Sequence, residues 1–136
     1  PKEMLALCDY ITPNETETEA LTGLSVNSVV DAAKAAEALC EMGVTTPIIT
    51  LGDKGAYLHG HGLIAPFIAG SVVETTGAGD AFNGGLATAL SEGLTDTKAV
   101  KIGCATAGIS VTRAGTAPSM PTRQQVNQLI ADSAFR

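Results

Sequence analysis

Residues 72–92 read VVETTGAGDAFNGGLATALSE, and the change of pattern inside this stretch decides the fold. Two β-branched residues give way to small ones, and an amphipathic run follows with Phe82, Leu86, Ala89 and Leu90 on one stripe. The spacing predicts a strand entering a glycine turn that opens a helix over about 79–92. A turn of that kind suits an anion. Glycines let the backbone come close, the first N–H groups of a helix lack intrahelical partners, and the macrodipole favours negative charge there. Asp80 ends the segment Thr75, Thr76, Gly77, Ala78, Gly79 and Asp80 and adds a carboxylate beside that opening. An ionised carboxylate is a weak base toward an alcohol, but phosphoryl transfer relaxes that objection, because the proton leaves late and alignment of the nucleophile suffices. Read locally, the segment is equally an ordinary helix start with Asp80 as its capping acid.

Outward from this stretch, strands alternate with helices. Met4–Leu7 ends a helix, and Tyr10–Thr12 is a short strand stopped by Pro13. An acidic helix over 14–21 stops at Gly23, and Ser28 caps another over about 29–42 with Val30, Ala33, Ala36, Leu39 and Cys40 near helical spacing. Pro47–Leu51 is a continuous apolar run, as expected of a central strand covered on both faces. Residues 52–55 turn, and 56–64 form a hairpin around Gly60–Gly62. Helices follow over 96–113 and from about Thr122. The alternation predicts a three-layer α/β sheet, mostly parallel.

Two further loops bear on chemistry. Asn14 and Glu17 in PNETE lie three apart, on one face of a helical turn just beyond a strand end. Glu17 there suits Mg²⁺, which keeps much of its hydration and touches protein through one or two carboxylates. Capping of the helix by Asn14 explains the pair as well. Thr50, Leu51, Gly52, Asp53, Lys54 and Gly55 run from the buried strand into a turn at its carboxyl end, the edge where open α/β sheets bind ligands; a plain β-turn with a charged tip accounts for the same residues. His59 and His61 flank Gly60 without a third metal ligand nearby. Arg113, Gly115 and Ser119 surround a second glycine turn after the long helix.

The chain has 136 residues, 45% of them apolar, enough for one globular domain. With net charge −6 and only eight Lys and Arg, it lacks the basic surface that duplex nucleic acid or anionic lipid requires. No apolar run reaches the roughly 20 residues of a membrane span. Cys8, Cys40 and Cys104 are an odd number in apolar or helical surroundings, which suggests reduced thiols and a cytoplasmic protein. The start at Pro1 reads as an internal cut in a longer chain.

Taken in order, ITPNETETEALTG, IITLGDKGAYL, ETTGAGDAFNGGLATAL and ISVTRAGTAPSMPT resemble the ribokinase branch of the PfkB carbohydrate kinase family over essentially the whole chain. The resemblance implies the C-terminal, nucleotide-binding part of a three-layer α/β/α ribokinase-like fold that transfers the γ-phosphate of ATP to the 5-hydroxyl of D-ribose. By match to its motifs, Asp80 is the base and touches the sugar, and the amides of Gly77, Ala78 and Gly79 are the anion hole. Asn14 and Glu17 organise phosphate and Mg²⁺, Thr50–Gly55 cradles the nucleotide, and Cys104 lies near the adenine. A monovalent cation, usually K⁺, maps onto Glu74, Thr76, Ser110, Arg113, Gly115 and Ser119, with Glu74 standing where the family normally has Asp. The family's sugar-gripping residues and its lid, through which members often form homodimers, belong to an N-terminal half outside these residues. The isolated piece is therefore expected to be inactive. Other PfkB specificities, fructokinase or nucleoside kinase, are the nearest alternative, and a nucleotide-binding module without catalysis is a different one.

Overall fold

In the computed structural model of the chain, residues 2–113 and 121–133 are described. They form two compact units, divided between Ile64 and Ala65.

The first unit is built on a strand pair. β1 (Tyr10–Ile11) lies parallel to β2 (Thr46–Thr50), with Tyr10 opposite Thr46 and Ile11 opposite Pro47. The pairing continues past β1, since the Thr50 amide donates to the Pro13 carbonyl at 2.9 Å. β3 (Ala56–Leu58) and β4 (Gly62–Ile64) then fold back as the hairpin read from the glycines, giving the order β1-β2-β3-β4. The sheet is thus mixed: its parallel character rests on β1 and β2, and the hairpin supplies two antiparallel pairs. Pro47, Ile48 and Ile49 are all buried, as the unbroken apolar run of β2 requires.

Helices α1 (Lys2–Leu5), α2 (Glu15–Thr22) and α3 (Val29–Glu41) complete this unit. The stripe on α3 differs from the one expected. Ala32, Ala35, Ala36 and Leu39 are buried, while Val30 is 63% exposed. Five alanines on thirteen positions leave the apolar face ambiguous, and Leu39 together with Val44 and Ile49 decides it by packing.

The second unit consists of α4 (Ala78–Ser91), α5 (Asp96–Ser110) and α6 (Arg123–Ser133) with the extended segment 65–76. The strand expected at Val72–Val73 does not form. The amides of Val73 and Glu74 both donate to one carbonyl, that of Val111, at 2.7 and 3.1 Å, and such a shared acceptor does not propagate a ladder. Helices α4 and α5 pack closely. Phe82, Leu86 and Ala89 are buried on α4, and Ala99, Val100, Cys104, Ala105 and Ile109 on α5. Gly108 sits where the backbone of Phe67 crosses α5: a Cβ there would overlap the Phe67 carbonyl oxygen. Arg123 grips Glu92 with both terminal nitrogens, at 2.8 and 2.9 Å, and ties α6 to the end of α4. Among the described residues, no helix is long and apolar enough to cross a membrane.

Candidate functional site

In the first unit the PNETE pair is a capping box. The Glu17 amide donates to Asn14 Oδ1 at 2.8 Å, and the Asn14 amide donates to Glu17 Oε1 at 2.9 Å. The local explanation for these residues therefore holds, and it leaves them available. Both are exposed, and Oε1 alone of the Glu17 carboxylate accepts that bond. Pro13, which precedes Asn14, takes the Thr50 amide, so the NxxE turn and the Thr50–Gly55 loop leave the same carboxyl edge of β1 and β2. The loop is a single 3₁₀ turn, Gly52–Lys54, closed by a bond from the Leu51 amide to the Gly55 carbonyl at 2.9 Å. Asp53 and Lys54 are exposed at its tip, and Leu51 is buried beneath it.

In the second unit the glycine turn delivers a helix with an open start. Gly77 is the N-cap at φ +87°, a left-handed conformation that an L side chain resists. The Ala78 amide closes the turn onto the Thr75 carbonyl at 3.1 Å, and the Ala81 amide begins the helical ladder on Gly77 at 2.9 Å. Between them, the amides of Gly79 and Asp80 find no protein acceptor among the described residues. Asp80 itself is exposed in the first turn. Two free N–H groups at the positive end of a fourteen-residue helix, with a carboxylate alongside, have the chemistry to receive an anion.

Glu74 lies just before this turn, half-buried, with Oε1 accepting the Thr76 amide at 2.9 Å. That bond first and then the Thr76 hydroxyl hold its carboxyl below the usual carboxylate range, against the opposing effect of burial and with a lesser pull from the Thr75 amide. The two bonds to Val111 bring Glu74 and Thr76 to the end of α5, where Ser110 is buried and Arg113 half-buried. Gly115 and Ser119 lie outside the described residues. Among the described residues, no three of His, Cys, Asp and Glu gather to hold a metal.

Cys104 is a core residue, 6% exposed on α5. Burial pushes its thiol up from 9.0 to about 12, so it stays protonated and unreactive. Because the folded value lies above the unfolded one, this thiol contributes stability that is complete below pH 9.0 and is lost as pH rises toward about 12. Cys104→Ala should therefore flatten the alkaline limb of a stability–pH curve measured by denaturant unfolding; an unchanged limb would show that other groups set it.

With this geometry in view, likeness to known proteins becomes informative. The model of the pfkB family of carbohydrate kinases matches residues 1–123. The chain belongs to that family. Its pfkB relatives include a ribokinase from Haemophilus influenzae, 44% identical over 131 residues, which cover 94% of this chain and 42% of that protein. A deoxyribokinase from Salmonella typhi is 36% identical over 126 residues, 91% of this chain and 41% of that protein. The solved structure of Arabidopsis thaliana ribokinase complexed with ribose and ATP matches at a TM-score of 0.89 and 34% identity, covering 96% of this chain and 43% of that one. The α/β ribokinase-like fold is thereby established, and the chain spans less than half the length of these pfkB proteins.

Proposed function

We propose that the chain is the C-terminal, nucleotide-binding part of a ribokinase-type sugar kinase that phosphorylates the 5-hydroxyl of D-ribose from ATP. The observation that carries this reading is the pair of free amides at Gly79 and Asp80 with the exposed Asp80 carboxylate beside them. In this reading the amides hold the terminal phosphate, where charge develops during transfer, and Asp80 aligns the sugar hydroxyl and takes its proton. Asn14 and Glu17 organise phosphate and Mg²⁺, the latter through water, and the exposed Glu17 fits that role. Thr50–Gly55 receives the nucleotide. The motif match puts Cys104 near the adenine, and its thiol, buried in the core and uncharged, would act there only by packing beneath the site. A hard monovalent cation such as K⁺ suits the oxygen donors of Glu74 and Thr76 beside the end of α5, where Ser110 and Arg113 lie; the motif match adds Gly115 and Ser119, which lie outside the described residues, and a cation there would supply fixed positive charge next to the anion site.

Gly79 offers a direct test. Its φ is not positive, and a Cβ built on it meets no heavy atom within 4 Å, so neither strain nor packing requires glycine. Closeness to a phosphate would. Gly79→Ala in the full-length protein should keep or raise stability, by up to about 1 kcal/mol from helix propensity. It should also lower kcat/KM for ATP about tenfold, because a methyl group displaces the phosphate from its amides. Paired calorimetry and steady-state kinetics read the two effects, and an alanine variant with unchanged kinetics removes the phosphate from this position. Among sugars, the likeness to a deoxyribokinase makes 2-deoxyribose the specific competitor to ribose, and kcat/KM on the two sugars separates them. Residues 1–136 alone should release no ADP in the presence of ribose, since positioning sugar against ATP needs the remaining part of the enzyme.

A further inference from the structure

The segment that delivers the anion site is pinned from both sides by one residue. The backbone of Glu74 is fixed to the end of α5, its amide joining that of Val73 on the Val111 carbonyl. The side chain of the same residue reaches forward, and Oε1 takes the Thr76 amide at 2.9 Å. The turn then closes when the Ala78 amide meets the Thr75 carbonyl, and Gly77 swings into its left-handed conformation. Residues 75–77 are thus clamped between Glu74 and the helix, and the only amides left pointing outward are those of Gly79 and Asp80 among the four that open α4. Thr75 and Thr76 are both exposed, so no burial of their side chains holds the loop in place. The carboxylate supplies what packing does not.

We propose that Glu74 is a positioning residue for phosphoryl transfer: by bracing the Thr76 amide it sets the direction in which the Gly79 and Asp80 amides point. This deepens the kinase reading and rests on it. The brace needs an acceptor oxygen at the end of the side chain, and the charge only strengthens the bond, which separates it from any role the carboxylate has toward a cation. Removing the acceptor should leave the loop free to turn, misdirecting the amides toward the terminal phosphate while leaving contacts to the rest of the nucleotide intact.

The experiment compares Glu74→Leu and Glu74→Gln with wild type in the full-length protein, with binding measured in buffer whose only monovalent cation is tetramethylammonium, too large for the site, so that loss of a cation ligand contributes nothing. Binding of the non-hydrolysable ATP analogue AMP-PNP and of ADP is measured by calorimetry, with circular dichroism to confirm folding. Glu74→Leu, of similar size without an acceptor, should weaken AMP-PNP about tenfold and ADP much less, the range expected for loss of one charge-assisted hydrogen bond. Glu74→Gln, which keeps a neutral acceptor and so a weaker bond, should lose clearly less AMP-PNP affinity than Glu74→Leu. In turnover the leucine variant should lose kcat with its KM for the sugar unchanged. Equal binding by wild type and Leu overturns the brace, and so does a Gln variant as weak as Leu, which would assign the effect to charge. Should the leucine protein fail to fold, Gln decides alone: a loss of about threefold or less supports the brace and a tenfold loss overturns it. A wild-type protein that binds neither nucleotide instead removes the kinase reading and this inference with it.

Discussion

Asp80→Asn in the full-length protein should lower kcat for sugar phosphorylation by about 10²–10⁴-fold while ATP binds as tightly as before or more tightly. The substitution keeps the shape of the side chain and its place in the first turn of α4, so the two free backbone amides at positions 79 and 80 still face outward. What disappears, in the proposed reading, is the group that accepts the hydroxyl proton. The negative charge next to the phosphates disappears too, and because like charges repel, its removal favours nucleotide binding. The signature is therefore a split, in which kcat collapses and the dissociation constant for ATP stays level or falls. Single-turnover kinetics with labelled ATP, together with equilibrium titration, measures both. An asparagine variant with wild-type turnover removes Asp80 from the reaction, and one that loses ATP binding altogether makes it a structural residue of the turn.

The second large effect is on stability. At an ordinary helical position, replacing glycine by alanine raises stability by about 1 kcal/mol. At Gly108 the sign should reverse. The new Cβ would overlap the Phe67 carbonyl oxygen and stand 3.1 Å from its carbonyl carbon, and backbone cannot rotate away as a side chain can. Either α5 shifts against α4 or the 65–76 segment lifts from it, at a net loss of about 1–3 kcal/mol, the usual penalty of overpacking. The same segment carries Glu74 and leads into Gly77, so the loss should be accompanied by weaker ATP binding. Guanidinium unfolding of Gly108→Ala against wild type measures the first effect, and a rise in midpoint would show that Phe67 does not lie against α5.

Much of the architecture was legible because it follows from short-range chemistry. Asn14 and Glu17 three apart form the capping box, Ser28 caps α3 by accepting the Asp31 amide, and the unbroken apolar run at 47–51 becomes a buried strand. The glycines around His61 make a hairpin. Such elements are decided by residues within a few positions of one another, and propensity, capping and periodicity act on that scale.

What escaped was settled by partners distant in sequence. Thirteen residues of α3 hold five alanines, so the buried face could be chosen only by what packs on it, and Val30 was left outside. Val72 and Val73 have the residue types of a strand, yet their segment ends on the Val111 carbonyl instead of in the sheet. The use of Gly108 rests on a crossing by Phe67, forty-one positions earlier, and no local pattern announces it.

The candidate site divides along the same line. Motif and resemblance named Gly77, Ala78, Gly79 and Asp80, although small residues before an amphipathic helix serve equally as an ordinary helix start. That the Gly79 and Asp80 amides remain free, that Glu74 turns its carboxylate onto Thr76, and that Cys104 is sealed in a core depend on where the chain returns. Sequence alone determined which groups could do the chemistry, because their identity is covalent. Only the tertiary structure decided which of them are left unsatisfied and exposed, because a hydrogen bond or a burial is a property of two segments at once.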